Sequence, residues 1–275
     1  MTIPAYALND GHRIPAIGLG TYNLTGDEGV ASIRAAIDSG YTLLDTALNY
    51  KNEREVGQAV RDSGRRDELF VTTKLPGRHH GHAEAIASLE ESLGNLGLDH
   101  VDLYLIHWPL PKQDKFVETW KALIELRERG LTRSIGVSNF TKAHLQRLED
   151  ETGVIPAVNQ VELHPRFRQE DLRAFHITKG IITEGWSPLA RRKEVSGESS
   201  VEAIAAKHGV TPTQVVLRWH VQLGVVPIPK SGDPERQREN LDLFGFRLDE
   251  DDMTAINALE SGRLWDGDPD THEEF

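Results

Sequence analysis

The chain has 275 residues, 38% hydrophobic and 27% charged, a balance that fits a globular domain and a length that suits one α/β barrel. Its formal net charge of −12 argues against nucleic acid and anionic membrane as partners, and any anionic ligand must find locally gathered positive charge. With no cysteine there is no disulfide, no thiolate nucleophile and no cysteine zinc site.

The first residues lack a basic start followed by a long apolar core, and no stretch has the length and apolarity to cross a bilayer, so a cytoplasmic location is expected. AYALNDGHRIP reads as a small hairpin, because Asn, Asp and Gly tolerate the positive φ of a tight turn. Eight short apolar runs follow, at 14–20, 42–47, 69–74, 101–107, 133–139, 157–160, 180–186 and 225–229. Helices are predicted over 27–40, 82–98, 115–130, 141–153, 200–209 and 211–224, with two more near 234–243 and 249–260. The first opens on acids and ends at Gly40, a C-terminal cap. The second places Ile86, Leu89, Leu93 and Leu96 on one face. Thr211 and Pro212 open the helix at 211 as cap and first-turn residue.

This alternation, with no flexible linker, predicts one domain over 1–275: a (β/α)8 TIM barrel with an N-terminal hairpin and a C-terminal extra helix and tail. The rival is a doubly wound open sheet, which usually carries a glycine-rich phosphate loop after its first strand. Gly18 and Gly20 lack the third glycine of that loop.

In such a barrel chemistry collects at the C-terminal ends of the strands. Asp45 ends the second run, Tyr50 follows it, Lys74 ends LFVTTK and His107 ends VDLYLIH. Val101, Leu103, Leu105 and His107 share one strand face, an apolar row ending in an imidazole, and Phe70, Thr72 and Lys74 do the same. Asp45 and Lys74, on adjacent strands at the same height, are expected to pair. Lys74 beside Tyr50 is expected to lower the phenol pKa and make it a proton donor to a carbonyl oxygen, with His107 bonded to the same oxygen. Singly, each residue has an ordinary reading: a turn aspartate, a solvated lysine, a structural histidine.

The ordered set DTALNYKNE, TTKL, HWP, GVSNF, PAVNQVELHP, WSPL and IPKSGDPERQREN resembles the aldo-keto reductases, and among them the bacterial 2,5-diketo-D-gluconate reductases, from about residue 6 to residue 258. The resemblance implies a barrel that reduces aldehydes and ketones with NAD(P)H and without metal, and it matches Asp45, Tyr50, Lys74 and His107 to the catalytic tetrad. Gly20, Thr21 and Tyr22 resemble the first strand end beside the nicotinamide. Ser138, Asn139 and Gln160 resemble the carboxamide contacts, and Trp186 the ring against the nicotinamide. Ser187 and Leu189 resemble pyrophosphate contacts, and Lys230, Ser231, Arg236, Glu239 and Asn240 the adenosine end. NADPH is the expected cofactor, because Lys230, Arg236 and Arg238 gather positive charge there, with backbone N–H groups of a helix start adding bonds to the 2′-phosphate.

Tyr22, Tyr50, His107 and Trp108 are expected to meet the substrate, a small carbonyl compound such as a keto-sugar acid, methylglyoxal or an aromatic aldehyde. Pro76 stands where many relatives carry tryptophan, and the tail from residue 261 is distinctive. His79, His80 and His82 are too tightly bunched for a tetrahedral site, so no metal is expected. The clusters RERGLTR and LARRKE read as solvated, and Trp120 and Trp219 as core. The chain is expected to act as a monomer. Two other functions are weighed against the reductase: a cofactor-bound sensor, which an intact tetrad disfavours, and a metal-dependent barrel hydrolase, which lacks its strand-end histidine pairs.

Overall fold

Gly11 takes a φ of +93°, the turn predicted at NDG, and this lets β1 (Ala5–Ala7) pair antiparallel with β2 (Arg13–Pro15). The computed structural model describes residues 3–190 and 195–274. Leu8 and Ile14 of the hairpin pack with Leu43, Phe70, Ala157 and Val226, which lie where the strands begin. The hairpin therefore closes the floor of the barrel.

Eight parallel strands form that barrel: β3 (Leu19–Gly20), β4 (Leu43–Asp45), β5 (Phe70–Leu75), β6 (Val101–Ile106), β7 (Thr132–Ser138), β8 (Val158–Glu162), β9 (Ile182–Trp186) and β10 (Val226–Ile228). Neighbours in sequence are neighbours in the sheet, and a bridge from Gly20 to Lys230 joins its two edges. Gly18 sits at that seam. A Cβ there would lie 2.6 Å from Leu43 Cγ, so this glycine serves close packing. Of the predicted run 14–20, residues 14 and 15 belong to the hairpin strand and only Leu19 and Gly20 to the barrel.

Ten helices among the described residues surround the strands: α1 (Gly26–Ser39), α2 (Glu53–Ser63), α3 (His82–Leu96), α4 (Phe116–Glu128), α5 (Lys142–Thr152), α6 (Glu170–Lys179), α7 (Ser199–His208), α8 (Pro212–Gln222), α9 (Pro234–Leu241) and α10 (Glu250–Asn257). Gly40 ends α1 in the left-handed conformation with its N–H on Ala36 O and Ile37 O, and Thr211 caps α8 in a capping box. Helices α2 and α6 were not predicted. The first buries Val56, Ala59 and Val60 on one face, a short apolar signal within a run otherwise dense in charge, and the second buries only His176.

The core has two layers. Leu43, Phe70, Leu103, Leu105 and Ile228 fill the barrel, while Leu44, Val71, Tyr104 and Val137 face helix residues such as Ile33, Leu89, Trp120 and Leu145. Val101 joins the outer layer, so the inward row on β6 starts at Leu103. Trp120 and Trp219 are fully buried, as expected of core, and each indole N–H has an acceptor, Val154 O and Asn257 Oδ1. In the basic run at 127–133, Arg129 pairs with Glu90 at the surface and Arg133 with the buried carboxylate of Asp102. Residues 191–194 of LARRKE lie outside the described residues. Among the described residues no helix is long and apolar enough to cross a membrane.

Candidate active site

Asp45 closes β4 and Lys74 sits near the end of β5, both facing inward and both buried. They are not at one height: Asp45 is in register with Thr72, and Lys74 lies two residues further along the same face. The long lysine side chain reaches back, and its Nζ meets Asp45 Oδ1 at 2.7 Å, Thr46 O at 3.0 Å and Tyr50 OH at 3.3 Å. Tyr50 reaches this point because residues Leu48–Tyr50 form one 3₁₀ turn, ended by Lys51 in the left-handed region. His107 follows β6 directly. Its N–H bonds Leu75 O, its carbonyl accepts from Asn139 Nδ2, and its ring lies edge-on to Tyr50 with centroids 6.0 Å apart.

Two charge effects oppose each other on Tyr50. Burial raises its pKa and Asp45 adds to that, while Lys74 pulls it down; the net direction is upward. The expectation of a lowered phenol pKa is therefore corrected. In this dry site desolvation outweighs a single cation, itself already neutralised by Asp45. Burial would lower the pKa of Lys74, but Asp45 and Tyr50 outweigh it and hold the ammonium charged.

Gln160 ties this group to β9. Its Nε2 donates to Asp45 Oδ2 at 2.9 Å and to Glu184 Oε2 at 3.1 Å. Glu184 is fully buried, and burial, reinforced by Asp45, raises its pKa far above the usual carboxylate range. Sequence reading missed this acid. A carboxylate in the middle of an apolar strand, IITEGW, was the available signal.

Above these groups opens a cavity of about 480 Å³. Its lining includes Gly20, Thr21, Tyr22, Asp45, Tyr50, His107, Trp108, Asn139, Gln160, Trp186, Ser187, Leu189 and Lys230. Lys74 and Ser138 lie beneath it, the latter through bonds to Gln160 O and Asn139 Nδ2. Trp186 is held by Asn139 Oδ1 at 2.8 Å. Asn139 and Ser187 both adopt positive φ, 63° and 48°, at strand ends on the rim.

A second cleft of about 220 Å³ continues past Leu189 and Lys230, lined also by Ser231, Arg236, Glu239 and Asn240. One detail there differs from expectation. Asp233 caps α9 and takes the N–H groups of Glu235 and Arg236, so those donors are already engaged. Glu239 accepts from Thr211 Oγ1 at 2.6 Å.

The tail was not assigned a role by sequence reading, yet it packs against three residues of the cavity lining. Trp265 packs edge-on to Trp186, His272 lies over Trp108 with centroids 4.1 Å apart, and Glu274 reaches His107. Pro76 is buried and does not line the cavity; Glu274 O sits where a side chain on its neighbour Gly77 would point. His79, His80 and His82 do not converge: His80 is buried, while His82 turns to Glu125. Among the described residues no group of three or more His, Asp or Glu side chains is placed to hold a metal.

Residues 16–261 match the Aldo/keto reductase family. The chain belongs to the aldo-keto reductases. It is 64% identical, over 99% of both chains, to 2,5-diketo-D-gluconic acid reductase B of a Corynebacterium species. It is 47% identical, over 96% of both, to methylglyoxal reductase DkgA of Escherichia coli K12. The crystal structure of apo Gox0644 superposes with a TM-score of 0.95 at 47% identity, covering 99% of each chain. A point mutant of the same protein in complex with NADPH gives the same TM-score at 46% identity and the same coverage. The closed parallel barrel, the hairpin floor and the additional C-terminal helices are those of an aldo-keto reductase, and this chain is an oxidoreductase enzyme of that family.

Proposed function

We propose that this aldo-keto reductase reduces small aldehydes and ketones to alcohols with NADPH, with Tyr50 as proton donor. The observation that carries the reading is the buried chain Asp45–Lys74–Tyr50 opening on the same cavity wall as His107. The names of the relatives make 2,5-diketo-D-gluconate and methylglyoxal the first compounds to assay.

The two clefts fit an extended dinucleotide. They share Leu189 and Lys230, run from Tyr50 to Asn240, and offer a flat indole at Trp186. NADPH, when bound, supplies the hydride. The chain's own residues then handle the oxygen. Burial keeps the proton on Tyr50 until a carbonyl oxygen accepts it, and the Lys74 ammonium at 3.3 Å stabilises the phenolate left behind. Asp45 keeps that ammonium charged. His107 bonds the carbonyl oxygen and fixes its direction. Tyr22 and Trp108 flank the opening as substrate contacts.

A panel of carbonyl compounds followed by NADPH absorbance tests the activity directly. Absence of turnover with every aldehyde and ketone would leave the sensor reading standing. Dialysis against a chelator should leave turnover unchanged, because the carbonyl is polarised by side chains. A loss restored by zinc would refute that.

NADPH is expected to bind more tightly than NADH. Exposed Lys230 stands between the two clefts, with Arg236 beside it, and a charge-assisted bond of this kind contributes about 1.5–3 kcal/mol. Lys230→Met should therefore cost roughly ten- to a hundred-fold in NADPH affinity and little in NADH affinity. The NADPH advantage should also shrink with salt. Equal wild-type dissociation constants for the two cofactors would remove this reading of the cluster.

A further inference from the structure

Among the described residues of the tail, the carboxylate of Glu274 is the one group that reaches His107 of the catalytic tyrosine–histidine pair. It is largely buried; Asn49 Nδ2 at 2.7 Å and the Gly77 N–H at 3.1 Å donate to it, and His107 Nδ1 lies 2.8 Å away. Burial works against its ionisation, but His107, Asn49 and the Gly77 N–H hold its pKa below the usual carboxylate value. The segment that delivers it is fixed. Leu264 N bonds Glu162 Oε1 at 2.7 Å, Trp265 and His272 pack on Trp186 and Trp108, and the Lys112 N–H reaches Glu273.

We propose that Glu274 is a positioning residue for His107: its carboxylate accepts from Nδ1 and holds the ring with both nitrogens protonated, so that Nε2–H donates to the substrate carbonyl oxygen. This rests on the reductase reading above. A carboxylate can only accept, so Nδ1 beside it carries a proton. A neutral imidazole has one N–H, which would leave Nε2 an acceptor facing another acceptor, the carbonyl oxygen. The ring can bind both only with its second proton, and the negative charge of Glu274 balances the cation that results. Nδ1 is buried, and His107 lines the cavity while Glu274 does not, so Nε2 is the nitrogen left for the substrate. The Nδ1 contact is short but off the line of an ideal hydrogen bond, so a small ring rotation is needed to straighten it.

The other charged or titratable groups near the pair do not replace this partner. Tyr50 faces the ring edge with Lys74 behind it, Arg78 sits on Asn49 Oδ1, and burial pushes His80 down to about 4, leaving it neutral.

The test is Glu274→Gln in the full-length enzyme, with methylglyoxal and NADPH, and Glu274→Asp as the conservative variant. The glutamine variant should lose roughly ten- to a hundred-fold in kcat above neutral pH, by analogy with orienting partners of other functional histidines. It should lose less at low pH, so that the alkaline limb of the profile moves to lower pH. The NADPH dissociation constant should stay near wild type, and the aspartate variant should recover much of the loss. In parallel, ¹⁵N NMR of the histidine side chains should show His107 shedding its second proton at lower pH in Glu274→Gln. A loss equal at every pH, with an unchanged His107 titration, would overturn the proposal and leave Glu274 as a tail fastener. If the wild type fails to reduce methylglyoxal, the NMR comparison still decides the pairing, and it is the substrate reading that falls.

Discussion

Tyr50→Phe is expected to cut kcat for carbonyl reduction by roughly 10²- to 10⁴-fold, the usual contribution of a general acid, while NADPH binds as in the wild type. The two effects separate because the hydroxyl is the only atom removed. The phenyl ring still packs edge-on against Tyr22, 5.2 Å between centroids, and against His107. What disappears is the oxygen 3.3 Å from Lys74 Nζ. Asp45 also bonds Lys74 and lines the cavity, but it accepts there through a carboxylate, so the proton source is lost with the phenol hydroxyl. Steady-state kinetics and a fluorescence titration with NADPH measure the two halves. A near-normal kcat would take Tyr50 out of the acid role.

Asp45→Asn should destabilise the fold by about 3–5 kcal/mol at pH 7, the range seen when one partner of a buried ion pair is removed. Lys74 is fully buried, and among the described residues Asp45 is its only charged acceptor at bonding distance; Thr46 O and Tyr50 OH are neutral. The sign of the pH effect follows from Lys74. In the wild type its folded pKa is raised, so its contribution is complete below the ordinary lysine value of 10.5 and is lost as pH climbs through the folded value. In the variant burial stands largely unopposed and pushes Lys74 the other way. Its deficit should then be greatest at low and neutral pH and shrink as the pH rises toward 10.5. Urea unfolding of both proteins at pH 7 and near pH 9.5 gives the comparison. Equal midpoints at pH 7 would mean that the pair contributes nothing to stability. Reductase activity should fall too, since an uncharged Lys74 no longer stabilises the phenolate.

The strand ends were legible because alternation on VDLYLIH and LFVTTK puts His107 and Lys74 at the top of inward faces, a property of the chain's own period. The register between β4 and β5 was not, because hydrogen-bond pairing between strands leaves no mark on either strand alone; the two-residue offset of Lys74 emerged only in the sheet. The direction of the Tyr50 shift was missed for a related reason. Its neighbours could be guessed, but the depth of burial that decides between desolvation and Lys74 is a property of the closed barrel. Asp233, the residue before PER, is a good N-cap, and it consumes two of the helix-start donors expected to meet a phosphate. Glu274 lies in a segment with neither helical nor strand period, so its path back to His107 depends on anchors such as Glu162 that lie far away in sequence.

The seam between Gly20 and Lys230 has a bearing on folding time. Part of the larger cavity's lining comes from the end of the first barrel strand, at Gly20, Thr21 and Tyr22, and the adjoining part from the end of the last, at Ile228, Pro229 and Lys230. A refolding chain can form its helices and its central strand pairs early, since those contacts join neighbours in sequence. The cofactor cleft exists only when the two ends of the sheet meet, the contact with the largest loop to close. Competence to bind NADPH is thus a late property of the folding chain, acquired after most of its secondary structure, and it marks the moment at which an open sheet becomes a barrel.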